Sequence, residues 1–183
     1  MKKWKTLSSE IINKNPWTEF RHDRFEMPNG YQGDYYYIQT PGGSVAVVPV
    51  LNDGRLVLVS QHRYLFDRTS LTFPVGGVKE AQTPEEGARA ELLEESGYSA
   101  GKIDLLAKTA PSHGLIKEYT HTYLATDLSE GIPNPDDTEQ IEVVLMSAEE
   151  IDAAIASGEI WDGFTIIAWY FARPSVLKII QSL

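Results

Sequence analysis

A chain of 183 residues, 42% hydrophobic and 23% charged, has the size and composition of one globular domain with a buried core. Its formal charge of −10 argues against nonspecific nucleic-acid binding, which depends on Lys and Arg neutralising phosphates. The absence of cysteine excludes disulfides, thiol nucleophiles and thiolate metal sites.

In chain order, Met1-Lys2-Lys3-Trp4 opens with positive charge, but no apolar segment follows, so no signal peptide is expected. A cytoplasmic location is then the default. The apolar runs Ser44–Leu51 and Leu56–Val59 are too short to span a bilayer, so no membrane partner is expected. The first forty or so residues are aromatic and turn-rich, with Trp4, Trp17, Phe20, Phe25, Tyr31 and Tyr35-Tyr36-Tyr37. Asn29-Gly30 and Pro41-Gly42-Gly43 mark turns, and Gly33–Gln39 reads as a strand between them. Ser44–Leu51 and Leu56–Gln61, joined by Asn52-Asp53-Gly54, read as a β-hairpin. Tyr119–Thr126 and Ile141–Met146 are further strands. Ala148–Ser157 and Thr165–Gln181 carry helical spacing, with Pro174 expected to break or kink the second. Mixed strands with intervening helices predict an α/β sandwich around a mixed sheet.

The chemistry concentrates in residues 76–98. Thr83 is a natural N-cap, Pro84 suits the first helical position, Glu86 completes a capping box, and Gly97 is a C-terminal stop. On the resulting helix Glu91, Glu94 and Glu95 share a face. Ala88 and Leu92 repeat on another face with Leu93 beside them, giving an apolar side to bury. Like charges four apart cost an isolated helix roughly 0.2–0.5 kcal/mol, whereas clustered carboxylate oxygens suit a hard cation. A solvated acidic face is the plain alternative, and the ordered flanks of the helix argue against it. An acidic protein can still take an anionic phosphate substrate if a divalent cation bridges the two.

This segment resembles the Nudix box, in which a glycine is followed at fixed spacing by a glutamate and then by Arg-Glu-apolar-any-Glu-Glu-any-Gly-apolar. Gly76, Glu91, Leu92, Glu94, Glu95, Gly97 and Tyr98 fall on the expected places. The resemblance implies an α/β/α sandwich with a small N-terminal β extension, divided as residues 1–43 and 44–183. It implies that Glu91 and Glu95 bind Mg²⁺ (Mn²⁺ being the other candidate), with Glu94 at or near the site and the Val75 carbonyl as a further ligand. Two positions depart from the pattern: the family's first glutamate is Gln82 and its arginine is Ala90. Arg89 is one helical step, about 100°, away from that arginine and is better placed to pair with Glu85.

Outside the box, Gln61-His62-Arg63-Tyr64 and Leu71–Gly76 resemble the ADP-ribose and nucleoside diphosphate sugar pyrophosphatase subgroup, with Thr72 in place of an acid. Pro111–Glu118 resembles that subgroup's Ser-Pro-Gly loop, with His113 replacing the proline and Glu118 at the loop glutamate. The likeness spans roughly residues 44–172. It implies hydrolysis of the pyrophosphate bond of a nucleoside diphosphate sugar, such as ADP-ribose, to a nucleoside monophosphate and a sugar phosphate. Glu118 is the first candidate for the general base, with Glu94 assisting at the catalytic centre. Glu139 and Glu142 are rival bases or additional metal ligands, against a reading of both as part of a solvated acidic loop leading into a strand. Arg63, Gly76 and Ser112 are candidate substrate contacts. Trp17 is another, by stacking on a base, although a single such aromatic is more often domain or dimer core. In the subgroup the N-terminal residues help form a homodimer and cover the nucleotide. Two rival readings are a nucleoside triphosphate or dinucleoside polyphosphate hydrolase, and a nucleotide-sugar-binding regulator that has lost catalysis.

Overall fold

In the computed structural model, which describes residues 2–132 and 140–183, two continuous apolar runs set the core. All of β4 (Ser44–Pro49) is buried, as are the first four residues of β5 (Leu56–Arg63). A strand apolar on both faces needs cover on both sides, and β4 has it. Its side chains alternate between faces. Ala46 and Val48 pack with Leu124, Ile151, Trp169 and Val176, joining α2 (Ala148–Ser157) and α3 (Gly163–Ile180) to the sheet. Val45 and Val47 pack on the opposite side with Ala88 and Leu92 of α1 (Pro84–Ser96). This is the α/β/α layering that the sequence predicts.

The central sheet runs β7 (Val75–Gly77), β4, β10 (Thr120–Glu130), β8 (Tyr98–Thr109), with β4 and β10 parallel and the other pairs antiparallel. A second sheet holds β11 (Ile141–Met146), β5 and β6 (Arg68–Thr72). The N-terminal residues form a third, in the order β1 (Lys5–Lys14), β2 (Glu19–Glu26), β3 (Gln32–Gln39), β9 (Ile116–Lys117). The loop that includes β9 is thereby tied to the N-terminal extension.

The expected β4–β5 hairpin does not form. Asn52–Gly54 do make a tight turn, closed by the Leu51 N–H donating to the Arg55 carbonyl at 2.8 Å. The strands then separate into different sheets and share only the bridge Val50–Leu56. Each already has two neighbours, β7 and β10 for β4 and β11 and β6 for β5, so neither has an edge left for the other. Pro174 does not end α3, which continues to Ile180. The carbonyl it leaves without an amide partner belongs to exposed Tyr170, where water can replace the lost bond. Leu93 is also not part of the buried side of α1 and remains exposed. Among the described residues, no helix is long and apolar enough to cross a membrane.

Candidate active site

The site starts from the capping chemistry of α1. The Thr83 hydroxyl accepts from the Glu86 N–H at 3.2 Å, and the Glu86 carboxylate accepts from the Thr83 N–H at 2.7 Å. These bonds hold the Glu86 carboxyl below its ordinary pKa, the backbone bond from Thr83 contributing most. Gly97, at φ 77°, closes the other end by donating its N–H to the Leu93 carbonyl at 2.9 Å. Burial of Ala88 and Leu92 fixes the rotation of the helix about its axis. Two glutamates are thereby brought to strand β7.

Glu95 is only 4% exposed, and its Oε2 accepts the Val75 N–H at 3.0 Å. The Glu91 carboxylate lies so close to Gly76 that any side chain at position 76 would overlap it. Glycine leaves room there for the carboxylate, which a side chain at position 76 would have to displace. Glu94 faces the loop after β7, where Lys79 Nζ donates to its two oxygens at 3.2 and 3.3 Å. In the same loop the Gln82 side-chain oxygen accepts from the Lys79 N–H at 3.3 Å, a role that needs no charge. Arg89 pairs with Glu85 at 3.0 Å and donates to the Ala100 carbonyl at 2.8 Å, in keeping with the structural role expected for it.

Among the described residues, no three His, Asp or Glu side chains are gathered as a cation cage. Mg²⁺ does not require one, since it commonly takes one or two protein carboxylates and keeps water or phosphate oxygens for its other positions. Glu91 and Glu95, both set against β7, fit that requirement, and their all-oxygen chemistry suits a hard cation.

Glu118 lines a cavity of about 490 Å³ together with Lys108, Lys117, His113, His121 and Tyr119. The strap 39–43 forms another wall. Gly42 touches the Val78 carbonyl so closely that a side chain there would overlap it. The Val78 N–H donates to the Gly43 carbonyl at 3.0 Å, and the Ser44 N–H to the Tyr119 carbonyl at 3.0 Å. This strap therefore links the loop after β7 to the cavity. Burial, and then the charge of Lys108, push His121 below the usual imidazole pKa. The loop before Glu118 is held to β3 by the Tyr35 hydroxyl donating to the Gly114 carbonyl at 2.7 Å and the Ile38 N–H to the Leu115 carbonyl at 3.0 Å.

The other candidates stand elsewhere. Arg63 ends β5, opposite Arg68, and does not line the cavity that holds Glu118. The Ser112 carbonyl accepts from the N–H groups of Leu115 and Ile116 at 2.9 and 2.8 Å, which shapes the loop. Trp17, 77% exposed, lies in the β1–β2 turn. Glu142 is exposed on β11 opposite Ser60, and Glu139 lies outside the described residues. Sequence reasoning missed Lys108, Lys117, His121 and the strap. The Gly42-Gly43 pair, read only as a turn, was the signal for a close backbone approach.

Comparison with known proteins shows the family and the fold. Residues 40–169 match the NUDIX domain, and residues 4–38 match the nucleoside diphosphate sugar hydrolase N-terminal domain. The chain is 31% identical to an ADP-ribose pyrophosphatase of Bacillus subtilis, over 90% of this chain and 89% of that protein. It is 30% identical to a methanol dehydrogenase activator of Bacillus methanolicus, over 95% of each. A crystal structure of an ADP compounds hydrolase superposes with a TM-score of 0.86 at 20% identity, covering 97% of this chain and 96% of that one, a likeness of fold.

Proposed function

This chain belongs to the Nudix family, and from that premise we propose that it hydrolyses the pyrophosphate bond of a nucleoside diphosphate sugar such as ADP-ribose. The products are a nucleoside monophosphate and a sugar phosphate. The observation that carries this reading is the placement of Glu91 and Glu95 against the same short strand β7, joined through the Gly42-Gly43 strap to a cavity lined by Glu118. Support for the substrate class comes from the N-terminal match and from the ADP-ribose pyrophosphatase relative.

In this reading Glu91 and Glu95 hold Mg²⁺, or Mn²⁺, with the Val75 carbonyl as a further ligand. When bound, the cation neutralises diphosphate charge and acidifies water. Glu94, steadied by Lys79, lies beside the pair and tunes its charge. Glu118 accepts the proton of the attacking water, from a loop that β3 restrains. Arg63, at the end of β5 outside the Glu118 cavity, contacts the substrate beyond that cavity, Gly76 and Ser112 contribute backbone contacts, and Trp17 stacks on the base of a substrate covered by the N-terminal extension, residues 1–43. We place the protein in the cytoplasm, and we propose a homodimer because β1 is exposed along its whole length and carries Leu7, Ile11 and Ile12 uncovered.

A substrate panel of ADP-ribose, GDP-mannose, ATP and a dinucleoside tetraphosphate, assayed with and without Mg²⁺, tests this function. Cation-dependent release of AMP and ribose 5-phosphate from ADP-ribose is expected. Preferred turnover of ATP or the tetraphosphate would overturn it, as would ligand binding without turnover of any member.

A further inference from the structure

The cavity around Glu118 holds more positive charge than a proton acceptor needs. Lys108 and Lys117 both line it, with Glu118 as the one carboxylate among its described lining residues. In a chain of formal charge −10, Lys14, Lys79 and Lys102 are each paired with a carboxylate. Lys108 and Lys117 lie over rings instead. The Lys108 ammonium lies 4.3 Å from the Tyr119 ring centroid, and that of Lys117 lies 6.0 Å from the Tyr37 centroid. A ring face orients an ammonium without neutralising it and leaves its N–H donors for another acceptor. Lys117, His113 and Ile116 also line an adjoining cavity of about 280 Å³, whose remaining wall includes Tyr35, Tyr37 and Asp23. Lys117 therefore stands where two cavities meet, one cationic and one tyrosine-lined.

We propose that Lys108 and Lys117 form a metal-independent anion subsite for the diphosphate of the ligand, and that the adjoining tyrosine-lined cavity receives a group attached to it. This rests on reading the Glu118 cavity as the substrate site. Two ammonium groups match a diphosphate, whose two phosphoryl groups are each ionised, better than a single carboxylate. Burial, and then Lys108, lower the His121 imidazole pKa, so the ring adds less positive charge here than the two lysines. Physically, the subsite offsets the repulsion that four glutamates would otherwise exert on an arriving diphosphate.

The test is calorimetric titration in EDTA, where turnover does not interfere, with ADP-ribose and with inorganic pyrophosphate, at low and high salt. The proteins are the wild type, Lys108→Met, Lys117→Met, the double variant, and Lys102→Met as a folded control. The wild type and the control should bind both ligands, more weakly at high salt. Each cavity substitution should weaken binding about tenfold, and the double variant should lose most of the salt dependence. Failure of the wild type to bind in EDTA, or equal binding by the double variant, overturns the subsite even if pyrophosphatase activity is present. Lysine-dependent binding of both ligands without product formation in Mg²⁺ sustains the subsite and overturns the proposed function instead. Lysine-dependent binding of pyrophosphate but not ADP-ribose overturns the placement of the attached group in the second cavity.

Discussion

Glu91 and Glu95 are held against one strand by different contacts, so substitutions separate their roles. Gly76→Ala would drive a methyl into the Glu91 carboxylate. The overlap is expected to cost about 1–3 kcal/mol or to displace Glu91, and turnover should fall well beyond what the change in unfolding midpoint explains. Glu118→Gln keeps the size and hydrogen bonding of the side chain but removes its basicity. We predict a loss of roughly a hundredfold or more in kcat with KM little changed, read by steady-state kinetics with ADP-ribose; unchanged kcat would remove Glu118 from the base role. At this scale the sequence was readable where chemistry is local. The spacing of Glu91, Glu94 and Glu95 needs only a helix, and the helix needs only Thr83, Pro84, Glu86 and Gly97. Lys108 and Lys117 were not readable. They are exposed strand lysines with no local mark, and only the tertiary fold brings them to one cavity.

Single elements give two further tests. Thr83→Ala removes the hydroxyl that caps α1. A cost of about 1 kcal/mol is expected, which in a chain of this size lowers the melting temperature by roughly 2–4 °C, measurable by calorimetry. In the N-terminal sheet, His22 of β2 contacts Glu10 of β1 at 2.8 Å and Asp34 of β3 at 2.7 Å, with its ring stacked on Tyr36. The bond to Glu10, then that to Asp34, raises the imidazole pKa. A raised folded-state pKa means that this contribution is fully present below the unfolded value of about 6.5. It is lost as pH rises through the higher folded value. Hydrogen exchange in β1 and β2 should accordingly quicken between mildly acidic and mildly alkaline pH beyond the chemical effect of pH, and His22→Gln should abolish that increment. Equal pH dependence in the two proteins would remove His22 as the cause. Strands also show where sequence reading stops. The apolar runs of β4 and β5 marked two buried strands, but partner choice depends on β7, β10, β6 and β11, which no local turn signal encodes.

Across the whole molecule, two sheets position the candidate residues: in the central sheet β7 supports the glutamates of α1 while β10 and β8 build the cavity walls, and the N-terminal sheet holds the loop leading to Glu118. The sandwich was legible because the continuous apolar run of β4 and the helical spacing of apolar residues both demand cover. The third sheet was only partly legible, since β1 is exposed throughout and has no buried face to reveal a period. That same exposure predicts a dimer of about twice the 20.5 kDa chain mass in light scattering, and Ile11→Lys with Ile12→Lys should shift it to monomer. The central claim, pyrophosphate cleavage at the α1 glutamates, is tested most directly by product analysis of ADP-ribose turnover with Mg²⁺ in ¹⁸O-labelled water, comparing wild type with Glu95→Gln. The wild type should yield AMP and ribose 5-phosphate with label in one of them, and the folded variant should be slower on the order of a hundredfold. Equal rates in the two proteins, or no labelled phosphate product from the wild type, would contradict it.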